Sequence, residues 1–280
     1  MTVYFSSLQE LLRAHGVKPG DLLYVASNVT RLLTDAQKHG VRTPAQRDVF
    51  LDACVASFQD LVTEQGTLLF PLFTWDFCHG LPFDIRKTPG KVGAFNNWCF
   101  THRKDFQRTQ HPLYSFLVWG KKAPDFLAME NRDSFGSDSP FAYLHRHGGK
   151  MILFDVCVER SFTFVHYVEE CIHAPYRYLK AFRGPYIDAE GRESDRIYTM
   201  YVQDLAIQSE KLLYDDFLAE QGALDRVAWN GMTIGIIDLA KAFDVYREDL
   251  MKHGGRACYR FTDYAIDWTQ PPTHEDDLVR

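Results

Sequence analysis

The chain has 280 residues, of which 46% are hydrophobic and 24% charged, with a formal net charge of -6. This composition builds one large core without disulfide staples. The acidic balance speaks against a nucleic-acid partner, whose phosphates call for a basic surface.

In chain order, "SLQELLRAHG" carries Leu8, Leu11 and Leu12 on a helical stripe that ends near Gly16. "DLLYVAS" follows Pro19-Gly20 and reads as a buried strand ending at Ser27. "TPAQRDVFLDACVASFQDLVTEQG" offers Thr43 as N-cap, Pro44 at the first helical position and Gln46 to complete a capping box. Gly66 closes that helix, and "TLLFPLF" is a second strand. From Cys78 to Gln110 the chain is rich in Gly, Pro, Asn, Trp and Phe and reads as long loops. "YSFLVWG" and "KMILFDVCV" are further strands, with "SPFAYLHRHGG" a helix between them. A hairpin spans Pro185 to Asp204 with its turn at "DAEGRES". "IIDLAKAFDVYREDLMKHGG" reads as an amphipathic helix and "RACYRF" as a last strand. Helices alternating with strands predict a parallel-leaning sheet with helices against it. We expect one domain over 1–261 and a polar, loosely held tail over 262–280.

No segment reaches the ~18 consecutive apolar residues of a membrane span. The N-terminus lacks the basic and apolar blocks of a signal peptide. Cys54, Cys78, Cys99, Cys157, Cys171 and Cys258 are scattered without a CxxC pair. They fit reduced thiols in a cytoplasm rather than a zinc ribbon or a disulfide framework.

Four stretches carry groups suited to chemistry. In "RSFTFVHYVEECIHAPYR" a helix starting near Thr163 puts His166 and Glu169 on one face. A carboxylate accepting from one imidazole nitrogen fixes the tautomer and makes the other nitrogen a general base. Glu170, four residues on, could do the same, and a solvated helix face explains the pattern equally well locally. His166, Glu170 and His173 include metal-ligand types, but the outer pair lie about 10 Å apart along a helix axis, so no metal is expected. In "RTQHPLYSFLVWG", Arg108, Thr109, His111 and Ser115 suit an anionic group, or a polar loop. In "GSDSPFAYL", Ser139-Pro140 reads as N-cap and first helical position. In "YVASNVTRL", Ser27 and Asn28 stand where α/β sheets bind ligands, at a strand's C-terminal end.

These pieces, in this order, resemble the aminoglycoside 3-N-acetyltransferase family. "VASNV" is similar to its first-strand motif at Val25 and Ser27, and "GTLLFPLFTW" to its glycine–threonine strand at Pro71, Phe73 and Thr74. "RTQHPLYSFLVWG" and "GSDSPFAYL" resemble two further motifs, and "TFVHYVEECIHAPYR" its threonine–x–x–histidine–x–x–glutamate run, with Pro175 to Arg177 following. The chain departs from the family at Ala26, Asn28, Asp155 and Phe162. The resemblance implies a three-layer α/β/α sandwich with a mixed, largely parallel central sheet, and transfer of an acetyl group from acetyl-CoA, as cosubstrate, to an amine of an amino-sugar or aminoglycoside-like small molecule. It implies His166 as general base, Glu169 as its orienting carboxylate and Thr74 or loop N–H groups as oxyanion donors. Ser27, Asn28, Arg108, Thr109, His111 and Ser115 would form the coenzyme A surface. Phe73, Trp75, Asp76 and Glu170 would meet the acceptor, since aromatic faces suit sugar rings. Family members often form homodimers. The alternatives are a longer acyl donor, a non-sugar amine, or a catalytically silent relative that binds a small ligand.

Overall fold

A computed structural model describes residues 2–270. The chain opens with α1 (Thr2–Ala14), β1 (Leu22–Ser27), α2 (Thr30–Lys38), α3 (Pro44–Val62) and β2 (Thr67–Pro71). A 3-10 turn at Asp76–His79, β3 (Phe83–Asp84), α4 (Ala94–His102), β4 (Gln107–Arg108) and β5 (Phe116–Gly120) follow. Next come α5 (Ala123–Leu127), α6 (Pro140–Arg146), β6 (Lys150–Phe154), α7 (Val158–Ser161) and α8 (Phe164–Cys171). The last part holds β7 (Arg177–Ile187), β8 (Glu193–Gln203), β9 (Ser209–Lys211), α9 (Asp215–Glu220), β10 (Leu224–Trp229), β11 (Met232–Asp238), α10 (Leu239–His253) and β12 (Tyr259–Phe261).

The central sheet has seven strands in the order β10-β11-β6-β1-β2-β5-β4. Its centre is parallel, β6 and β2 flanking β1, and both wings are antiparallel. Side-chain alternation splits the core into two layers. On β1, Leu22, Tyr24 and Ala26 face one cluster and Leu23 and Val25 the other. The second cluster is closed by α1, α2, α3 and α4, through residues such as Phe5, Leu32, Phe58 and Phe95. The first is closed by α6, α8 and α10, through Phe141, Val165 and Tyr246. A separate three-stranded sheet, β3-β7-β8, packs on that side as well. The result is the expected three-layer sandwich. The capping box forms as read: Thr43 Oγ1 accepts from the Gln46 N–H (3.2 Å), and Gln46 Oε1 from the Thr43 N–H (3.0 Å).

Four expectations need correction. The stretch from Cys78 to Gln110 is not all loop, since α4 lies within it and buries Phe95, Asn96 and Cys99. The "IID" before α10 belongs to β11, which pairs with β10 across Asn230-Gly231. Both turn residues have positive φ (47° and 74°), the two-residue hairpin that Asn-Gly favours. The hairpin at "DAEGRES" holds, but its first strand begins earlier, at Arg177. The tail is packed at least as far as Trp268, since Ile266 and Trp268 lie against the core; residues 271–280 lie outside the described residues. Among the described residues no helix is long and apolar enough to cross a membrane.

Candidate functional site

Helix α8 begins where the chain leaves β6, at the C-terminal edge of the parallel strands. One turn in, His166 Nδ1 meets Glu169 Oε2 at 2.7 Å. The carboxylate is fully enclosed, and two more groups hold it. The Tyr176 hydroxyl donates to Oε1 (2.8 Å), and Arg177 Nε pairs with Oε2 (2.9 Å). Arg177 is fixed in turn by donating to the Tyr201 carbonyl and the Tyr259 hydroxyl. Burial alone would raise the Glu169 pKa, but Arg177 and His166 overcome it and hold the group at about 2. An ionised carboxylate only accepts, so Nδ1 carries the proton and Nε2 presents a lone pair. Burial, then the Arg177 charge, push the His166 imidazolium down to about 4, against the pull of Glu169. His166 is therefore neutral around pH 7, and its side chain keeps 22% of its surface open.

A run of rings connects His166 to the aromatic residues expected at the acceptor side. Phe135 meets the imidazole edge-on (5.6 Å), Tyr114 packs on Phe135 (4.8 Å), and Phe73 and Trp75 pack on Tyr114 (5.0 and 6.2 Å). Phe73 is buried, whereas Trp75 is exposed with its indole N–H donating to the Tyr114 hydroxyl. Asp76 pairs with Lys91 (3.2 Å). Thr74 is closed from solvent, and its hydroxyl has no hydrogen-bond partner among the described residues.

A cavity of about 250 Å³ lies at the C-terminal ends of β1 and β2. Tyr24, Ala26 and Ser27 of β1, Pro71, Phe73, Asn96 of α4 and Thr163 at the start of α8 line it. Strand ends of this kind are where α/β sheets take ligands. Ser27 therefore lines a cavity at a strand end. Asn28 is not among the lining residues; its side chain accepts from the Thr30 N–H and starts α2.

The segment from Arg108 to Ser115 is turned inward, which corrects its reading as a surface. The Arg108 guanidinium donates to Ser115 Oγ (2.9 Å) and to the carbonyls of Thr88 (2.5 Å) and Leu72 (3.2 Å). It lies between the rings of Phe83 and Phe100. Thr109 Oγ1 accepts from the Phe116 N–H, and Ser115 Oγ donates to the Leu72 carbonyl. His111 is buried, its Nδ1 accepting from the N–H groups of Leu113 and Tyr114 while Nε2 faces the Arg132 carbonyl. Burial pushes its pKa down to about 3. These four side chains brace a loop, bonded to neighbouring backbone and to one another. Glu170 differs too: Glu169, not Glu170, holds His166. Burial and the adjacent Asp133 raise the Glu170 pKa well above the usual carboxylate range.

Sequence reasoning missed Tyr176, Arg177, Tyr259 and Asn96. The first two stand in a triplet whose place in the chain was visible but whose role was not. Tyr259 lies 82 residues from Arg177, and no local pattern links them. Asp155, the departure from a glycine, has φ 56°. That left-handed conformation favours glycine; here the carboxylate accepts from Arg31 Nε (2.7 Å) and the Thr233 N–H (3.3 Å).

A family model described as aminoglycoside 3-N-acetyltransferase matches residues 44–251. Among solved structures, AAC-IIIb in binary complex with CoASH is 21% identical, with a TM-score of 0.65, 88% of this chain and 96% of that one covered. The YokD protein from Bacillus subtilis is 20% identical, with a TM-score of 0.66, covering 88% and 97%. AAC-VIa bound to sisomicin is 18% identical, with a TM-score of 0.66, covering 89% and 97%.

Proposed function

Since this chain belongs to the aminoglycoside 3-N-acetyltransferase family, we propose that it moves an acetyl group from acetyl-CoA to an amine of an amino sugar of the aminoglycoside type, with His166 as general base. The observation that carries this reading is the 2.7 Å contact of His166 Nδ1 with Glu169 Oε2, which leaves Nε2 unprotonated. The coenzyme bound to AAC-IIIb and the sisomicin bound to AAC-VIa support the choice of donor and acceptor.

A sugar amine is mostly a cation at neutral pH and must first shed a proton to expose its lone pair. The neutral nitrogen attacks the thioester carbonyl, forming the C–N bond. His166 Nε2 takes one of the two protons on the attacking nitrogen, the other staying in the amide, and the Glu169 carboxylate offsets the charge that arises on the ring. The C–S bond then breaks with its electron pair on sulfur. The imidazolium returns the proton to the thiolate, so the products are an amide and coenzyme A. The Thr74 hydroxyl, without a hydrogen-bond partner among the described residues, is a candidate donor to the carbonyl oxygen as it gains charge. Phe73, Trp75 and the ring of Tyr114 offer an apolar face to the sugar.

Release of free thiol from acetyl-CoA in the presence of a panel of amines tests this. Turnover with aminoglycoside-type amines is expected. Turnover with simple alkylamines alone would overturn the acceptor, and none with any amine would overturn the activity.

A further inference from the structure

Two polar atoms at the cavity lack hydrogen bonds. Ser27 Oγ and Asn96 Oδ1 are both shielded from solvent and have no partner among the described residues. Buried polar atoms are nearly always satisfied, so two orphans lining one cavity call for a missing partner. The orientation of the Asn96 amide is not arbitrary. Its Nδ2 donates to the Pro71 carbonyl at 2.8 Å, and a carbonyl can only accept. Oδ1 is therefore the atom left over, and it needs a donor. The amide is also closely backed by Gly93, where φ is 71° and a Cβ would stand 2.6 Å from Nδ2. Neither a flip nor a larger residue at 93 is accommodated.

We propose that Asn96 is a specificity residue for the acyl donor, its Oδ1 accepting an amide N–H of the donor's pantetheine arm, with Ser27 Oγ completing the polar contacts of the same cavity. The inference rests on the acyltransferase reading above. The arm of coenzyme A is a chain with two amides, so it brings the N–H donor that the cavity lacks and apolar methylenes for Tyr24 and Phe73. Thr163, which also lines the cavity, accepts through its carbonyl from the His166 N–H (3.1 Å). A ligand seated there thus borders the turn that carries the base.

The test is calorimetric titration of coenzyme A and of two analogues in which one or the other amide N–H is replaced by CH₂. The wild-type protein should bind one analogue about tenfold more weakly than coenzyme A, the scale of one buried hydrogen bond. Asn96→Ala should bind coenzyme A about tenfold more weakly and no longer distinguish that analogue from it. A structural role for Asn96 would instead weaken all three ligands equally and preserve the discrimination, which would overturn the proposal. Ser27→Ala removes no bond within the protein, so it should fold with unchanged thermal stability and still bind coenzyme A more weakly. Equal affinity of wild type and both variants for coenzyme A would overturn the proposal while leaving the acyltransferase reading intact. No binding of coenzyme A to the wild type would overturn both.

Discussion

The His166 region and the Arg108–Ser115 segment look alike in the sequence, each a cation or imidazole with hydroxyls or carboxylates a few residues away. In the structure they are opposites. Arg108, Thr109, His111 and Ser115 spend their hydrogen bonds on neighbouring backbone and on one another. Among the described residues His166 is bonded on one side-chain nitrogen only, and its carboxylate is fixed by groups from other elements. The difference teaches that a motif's polar residues are available for chemistry only where the fold leaves an atom unsatisfied. Motif membership alone does not distinguish a brace from a reactive group.

The largest expected effect falls on the His166 side. His166→Ala should lower acyl transfer by about 10²–10⁴-fold, the scale of general-base loss, with little change in melting temperature. Steady-state rates on a variant shown to be folded check it, and near-wild-type turnover would remove the base assignment. Glu169→Gln separates rate from stability. The imidazole stays, so turnover should fall less than for His166→Ala. Arg177, however, is left as a buried cation without its counter-ion, and the fold should lose about 3 kcal/mol or more. Denaturant unfolding reads this, and an unchanged midpoint would mean that Tyr259 and the backbone suffice to hold Arg177.

On the brace side the order reverses. Arg108→Ala should cost about 2 kcal/mol of stability, since it strands the Thr88 carbonyl and takes one hydrogen bond each from the Leu72 carbonyl and the Ser115 hydroxyl, which keep the bond between them, while coenzyme A affinity per folded protein stays close to wild type. A large loss of affinity with stability preserved would restore Arg108 as a phosphate contact.

The smallest effect is in the pH dependence of stability. His111 and His166 are held at about 3 and about 4, below the ordinary histidine value near 6.5. The unfolded chain takes up these protons near pH 6.5 and the folded one only lower, so U binds more protons over that window. Their contribution to stability should therefore be full above about pH 6.5 and fall as the pH drops towards 4, while the raised pKa of Glu170 acts in the opposite sense. Glu169, held at about 2, adds a loss only below the ordinary glutamate range. Melting temperatures between pH 7 and pH 4 check the slope. His111→Asn, whose side-chain oxygen can replace Nδ1 as acceptor, should flatten it, and an unaltered slope would show that His111 titrates freely.

Much of the frame was legible beforehand because its signals are local. The capping box at Thr43, the alternating strands and the amphipathic helices follow from the chain's own periodicity. The same locality explains the mistakes. Helix α4 lacks a regular apolar stripe and is held by burial of Phe95, Asn96 and Cys99. The "IID" before α10 is as apolar as a helix start, and only pairing with β6 and β10 draws it into a strand. The Asn230-Gly231 pair is a local signal for the turn between β10 and β11.

By itself, the sequence determined that this is an α/β chain, that His166 and Glu169 share a helix face three residues apart, and that its motifs follow the order of one family. Only the tertiary structure decided which carboxylate holds the imidazole, because Tyr176 and Arg177 enclose Glu169 while Glu170 faces Asp133. It also turned Arg108 and His111 inward and set Ser27 and Asn96, 69 positions apart in number, on one cavity. Side-chain spacing along a helix is fixed by backbone geometry and can be read from a string of letters. Whether a polar atom is satisfied depends on which distant strands and loops arrive beside it, and that is settled only when the layers close.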